Sequence, residues 1–137
     1  MTITDLIEKL EKAEGPNYRL DIEIFKFFNP EYADYVEGRG GLVHVNDGED
    51  QRVLSNVRAP NYTASLDAAV ALAESALPGW RNSSIKTDDG EYAAYAWLPG
   101  ADGPFRVETH AEHIKSSRAI ALCLAILRAK AAQGGDA

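Results

Sequence analysis

The stretch from Ala59 to Trp80, APNYTASLDAAVALAESALPGW, constrains this chain most, because it specifies a helix together with both of its ends. Pro60 stops extended chain, and the hydroxyls of Thr63 and Ser65 offer an N-cap, whose oxygen accepts from backbone N–H groups that the first helical turn leaves without partners. Asp67 adds negative charge at the positive end of the helix dipole. The helix is therefore predicted to start near Ser65, with Leu66, Ala69, Val70, Ala73 and Leu77 as one apolar stripe. Pro78-Gly79 ends it, and Trp80 opens what reads as a sheet.

The residues before this helix predict a helical hairpin over 1–29. Thr2 or Thr4 can cap a first helix with Ile3, Leu6, Ile7, Leu10 and Ala13 on one face, and Gly15-Pro16 stops it. Asn17 then caps a second helix containing Leu20, Asp21, Ile24, Phe27 and Phe28, which must end at Asn29 because the residue before Pro30 is driven out of the α region. Ile22 and Phe25 lie off its main stripe, so a second layer or another subunit is expected to cover them. Residues 30–59 read as an irregular insertion, a loop with one small hairpin: Leu42 to Val45 as a strand, Asn46-Asp47-Gly48 as its turn and Arg52-Val53-Leu54 as the return. A connection this long is a candidate lid or contact surface.

Behind the organising helix, residues 60–133 are predicted to run helix, three strands, helix. Arg81 to Lys86 and Glu91 to Leu98 flank the tight turn Asp88-Asp89-Gly90, and Phe105 to Thr109 alternates as a third strand. The middle strand is largely apolar on both faces, which calls for cover on both. Ser116 or Ser117 caps the last helix, in which Ala119, Leu122, Cys123, Ile126 and Leu127 form a stripe that Ile120 and Leu124 widen. Residues 134–137 are expected to fray.

At 137 residues the chain is long enough to form a single domain without metal or disulfide staples, and the sole cysteine, Cys123, reads as a small buried hydrophobe. The net charge of −7 argues against general nucleic-acid binding, which needs clustered Lys and Arg. The carboxylates are scattered and do not form the dense face of a DNA mimic. No apolar run approaches the roughly 20 residues of a membrane span. The amphipathic, charged start MTITDLIEKLEK is unlike a signal peptide, so a cytoplasmic protein without membrane association is expected.

Three segments, GPNYRLDIEI, NYTASLDAAVAL followed closely by GW, and IALCLAILRAKA, resemble the uncharacterised phage and prophage proteins grouped as the phage ABA-sandwich domain family. The resemblance implies an α+β fold, an alpha/beta/alpha sandwich with a short antiparallel sheet of about three strands covered by helices on both faces. It also implies a viral or prophage origin. It supplies no reaction and no functional residue, and residues 31–59 have no counterpart in it.

Candidate sites compete with plainer readings. His110-Ala111-Glu112-His113, with His44 as a third ligand, lacks the four-residue histidine spacing of a zinc helix, and solvated loop histidines fit better. The acidic turns at Asp47 and Asp88 do not follow a calcium-loop pattern, Gly38-Arg39-Gly40-Gly41 lacks the lysine of a phosphate loop, and no G-x-S-x-G elbow is present. The more suggestive group is Tyr62, Trp80, Arg81, Trp97 and Arg106, with Tyr95 beside them: a planar base can stack on the aromatics while a guanidinium meets phosphate. The competing reading is core packing with arginine stems at the rim. No catalytic residue, metal or cofactor is expected. The sequence thus points to a non-enzymatic, homo-oligomeric accessory protein in the host cell cytoplasm. It would bind either a nucleotide-like small molecule or a host or phage protein.

Overall fold

The computed structural model describes residues 2–38, 41–45, 53–86, 91–98, 107–114 and 117–133; at 37–38, 41–45, 53–56, 98 and 107–114 the description is of the backbone. It is a mixed α+β chain. Among the described residues, four α-helices, α1 (Ile3–Lys12), α2 (Tyr18–Phe28), α3 (Leu66–Ala76) and α4 (Arg118–Ala132), accompany six strands, β1 (Val36–Gly38), β2 (Gly41–Val45), β3 (Val53–Val57), β4 (Arg81–Lys86), β5 (Tyr92–Leu98) and β6 (Val107–Ile114). The strands form two antiparallel sheets, in the orders β1-β2-β3 and β4-β5-β6.

Every α-helix starts on the side-chain oxygen that local chemistry favours. Thr2 accepts from the Asp5 N–H in a reciprocal capping box, Asn17 from Leu20, Ser65 from Ala68 and Ser117 from Ile120. Gly79, with φ of 83°, takes the left-handed conformation that lets the chain leave α3 and turn into β4. The buried stripe of α3 is rotated from the one expected. Ala69, Leu72, Ala73 and Leu77 are buried, whereas Leu66 and Val70 are half-buried. Leu72 belongs with Ala69 and Ala73 at helical spacing, and this row faces α4.

The last helix is the centre of the molecule. From Ala119 to Leu127 every residue of α4 is buried, around the full circumference and not along a stripe. The reason is that α4 packs on β4, β5 and β6 and also on α3 and α1. Small residues make this possible: Ala94 and Ala96 on the sheet belong to the same core as Ala121 and Ala125 of the helix. Ile22 and Phe25 of α2, the surplus that called for a second layer or subunit, are likewise buried within one chain.

Two expectations for the strands are corrected. Residues 36–57 contain a three-stranded meander where a loop with one hairpin was expected, because Val36–Gly38 adds a strand that pairs with β2 through Val36↔Val43 and Gly38↔Gly41. The meander is rooted on the body through Tyr35, whose ring stacks edge-on with Tyr32, which in turn lies 5.2 Å from the ring of Phe25. The third strand of the second sheet also runs further than Thr109, to Ile114. The meander turn at Asn46–Gly48, the turn at Asp88–Gly90 and Arg39 lie outside the described residues.

Candidate functional site

Strand register decides what the expected ligand residues can do together. Arg81 pairs with Trp97, Ser83 with Tyr95 and Ile85 with Ala93. Directly opposed residues share a face, so these six side chains occupy one side of the sheet. On the other side Tyr92, Ala94 and Ala96 join the core beneath α4. Trp80 also packs against that core, and its backbone N–H donates to the Leu77 carbonyl at 3.0 Å. Tyr62 is 5% exposed and sits among core residues. The structure therefore brings Arg81 and Trp97 together and separates them from Tyr62 and Trp80. Arg106 lies outside the described residues.

The side of the sheet away from α4 is open. Ile85 is 49% exposed and Arg81 is exposed, Ser83, Tyr95 and Trp97 are half-buried, and Ala93 between them is buried. Among the described residues, the other side chains of this size and exposure are Tyr18 and Val36. A separate shallow cleft of about 650 Å³ lies at the turn between α1 and α2, bordered by Lys9, Lys12, Glu14, Asn17, Arg19 and Glu23. None of the expected ligand residues borders it.

Residues that the sequence offered separately, as caps and helix positions, come together in a buried polar clasp. Asp21, 4% exposed, accepts from both the backbone N–H and the hydroxyl of Thr63, each at 2.8 Å. The same hydroxyl oxygen accepts the Asn17 N–H at 2.8 Å, and the Ser117 hydroxyl donates to the Thr63 carbonyl at 3.2 Å. One loop residue thus ties the N-cap of α2 to the N-cap of α4, two residues before the N-cap of α3. The Cys123 thiol completes the cluster by donating to the Tyr62 carbonyl at 3.7 Å.

Burial sets the protonation states in this cluster. Desolvation raises the Asp21 carboxyl above its ordinary value, against the two Thr63 hydrogen bonds, which lower it. Burial pushes the Tyr62 phenol up to about 12, aided by Cys123 and Asp21, and pushes the Cys123 thiol up as well. Both groups are neutral at physiological pH, so Cys123 is not an activated nucleophile. A sequence signal for the clasp existed. Asp21 lies between Leu20 and Ile24 on a stripe that faces the core, and a carboxylate there requires a partner.

The His110–His113 segment lies in β6, on extended chain, and His110 pairs with Tyr95. The pairing slips between Tyr92 and Ala94, where β6 carries an extra residue. The arrangement of two histidines on one helical turn is thus not the geometry of this segment. No protein-family model matches the chain, and comparisons with characterised proteins and with solved structures find nothing similar to it. Among the described residues, no helix is long and apolar enough to cross a membrane.

Proposed function

We propose that this chain is a non-enzymatic accessory binding protein of a phage or prophage, active in the host cytoplasm through contact with a host or phage protein. The observation that carries this reading is the open side of the β4-β5-β6 sheet, where Ile85, Tyr95, Trp97 and Arg81 share a face that α4 leaves uncovered. Aromatic side chains and arginine are the types enriched in protein contact surfaces. The phage reading rests on the three sequence segments given above. They coincide with the clasp and the core helix: Asn17 and Asp21 lie in the first, Thr63 in the second and Cys123 in the third. The alpha/beta/alpha arrangement implied by the resemblance calls for helices on both faces of the sheet; α4 covers one, and this proposal takes the other as open.

A nucleotide-like ligand remains the second reading, because Arg81 and Trp97 are register neighbours and retain the pairing of guanidinium with indole that such a ligand needs. It draws on two of the five residues first expected. Homo-oligomerisation now rests on the same open sheet face, since the apolar surplus of α2 and α4 is used within one chain.

The test is partner capture from infected cells with the wild-type chain and with Ile85→Asp and Trp97→Ala, alongside thermal shifts with a nucleotide panel. A defined partner lost in both variants, with no nucleotide raising the melting temperature, supports the protein-contact reading. A nucleotide that raises the melting temperature of the wild type but not of Trp97→Ala replaces it with the ligand reading.

A further inference from the structure

We propose that the free edge of β4 adds an extended, acid-flanked segment of another protein as a further antiparallel strand. This deepens the protein-contact reading and rests on it. β4 is an edge strand whose one neighbour in the sheet is β5, and no other described strand pairs with its outer side. Such an edge presents a row of backbone N–H and C=O groups ready for another chain, and strand addition is an established way of binding extended segments.

Charge selects the kind of segment. The chain carries 21 acidic residues against 14 basic ones, yet β4 and β5 contain two charges over their whole paired length. Both are positive: Arg81 and Lys86, at the two ends of the edge strand and exposed. They lie five residues apart, about 17 Å along a strand. A segment pairing antiparallel with β4 sets its first and last residues opposite these two cations, and acidic residues there form cross-strand ion pairs.

The same register disfavours a second copy of this chain. Antiparallel self-pairing about a two-fold axis perpendicular to the sheet opposes residues of the same face, so it sets Arg81 against Ile85, or Lys86 against Asn82, of the other copy. β4 contains no carboxylate, so neither cation gains an acidic partner in such a pair. Positive edge residues commonly serve only to prevent such pairing. What argues for more than protection here is the contact side next to the edge: Ile85 is half-exposed at its end, and Tyr95 and Trp97 lie one strand in.

The test uses the full chain, ¹⁵N-labelled, and a six-residue acetylated and amidated peptide with Asp and Glu at its ends and alternating Val and Thr between. The control peptide has Lys at both ends. The acidic peptide should shift the amides of Asn82 to Ile85 and bind roughly tenfold more tightly than the lysine peptide at low salt, with the preference reversed by Arg81→Glu combined with Lys86→Glu. Two N-methylated versions add direction: methylating the amides that face β4 should abolish binding, while methylating the alternate amides should not. Equal binding of acidic and lysine peptides, or shifts confined to residues outside β4 and β5, overturns the proposal. No shift up to millimolar peptide also overturns it. If strand addition fails in this way while Ile85→Asp and Trp97→Ala still abolish partner capture, the protein-contact reading stands with another geometry.

Discussion

The clasp around Thr63 and the open side of the β4-β5-β6 sheet use similar residue types to opposite ends. Both combine an aromatic residue, a hydroxyl and a charge: Tyr62, Thr63 and Asp21 in one, Tyr95, Ser83 and Arg81 in the other. In the clasp the charge is 4% exposed and its oxygen takes two hydrogen bonds, so removing either partner strands a buried polar group. On the sheet the charge is in water, and its loss changes what the surface attracts without changing what holds the fold. Residue type alone therefore says little about role, and solvent access decides it.

The comparison is sharpened first at the core that both regions border. Leu124→Ala, at a fully buried position of α4, should cost about 2–5 kcal/mol in urea unfolding, because the sheet and the helices on either side cannot both collapse into the space. Within the clasp, Thr63→Val keeps the shape but leaves the Asn17 N–H and Asp21 without the hydroxyl, an expected cost of about 2–3 kcal/mol; Thr63→Ser should cost much less. Ser117→Ala removes both the cap of α4 and the tie to Thr63, at about 1–2 kcal/mol. Ile85→Asp should fall within about 0.5 kcal/mol of wild type. Should Ile85→Asp destabilise as much as Thr63→Val, the sheet face is covered and the contrast between the regions collapses.

A pH series adds a finer distinction. The folded Asp21 carboxyl is raised above its ordinary value of 3.8, so the folded state holds this proton more tightly than the unfolded chain does. Its contribution to stability is fully present below about 3.8 and is lost as pH rises through the raised folded value. Asp21→Asn should remove that component of the pH dependence and keep an acceptor for Thr63. Asp5 acts in the opposite sense on the surface. Its hydrogen bonds with Thr2 hold it low, so its small contribution is present above 3.8 and fades as pH falls through its lower folded value. A carboxyl-resolved NMR titration separates the two, and an Asp21 value at or below 3.8 removes the premise of a desolvated carboxylate.

What the sequence made legible was mostly local. Asn17, Ser65 and Ser117 cap their helices as expected because a cap bonds an N–H three residues away, and Pro78-Gly79 stops α3 for equally local reasons. The β4–β5 pair was readable because its two strands lie close together in the sequence. The Asp21–Thr63 bond was not, since it joins residues 42 apart and requires α2 and the Thr63 loop to be placed first. The ligand group failed to converge for a related reason. Alternation along β5 puts Trp97 on the face opposite Ala96, and nothing in spacing alone says which face the core will take. The widened stripe of α4 was visible, but its place between the sheet and two helices depends on contacts with every other layer.

The central position of α4 also has a meaning in time. Its packing partners α1 and β4 to β6 all precede it in the chain, and α1 lies at the other end of the described sequence. During synthesis the capped helices and the β4–β5 hairpin can form early, but their apolar faces have nothing to close on until Ala119 to Leu127 emerges. Assembly then depends on long-range closure, which slows folding and leaves those faces accessible to chaperones and proteases. The rate at which α4 docks therefore sets how soon after translation the fold is complete.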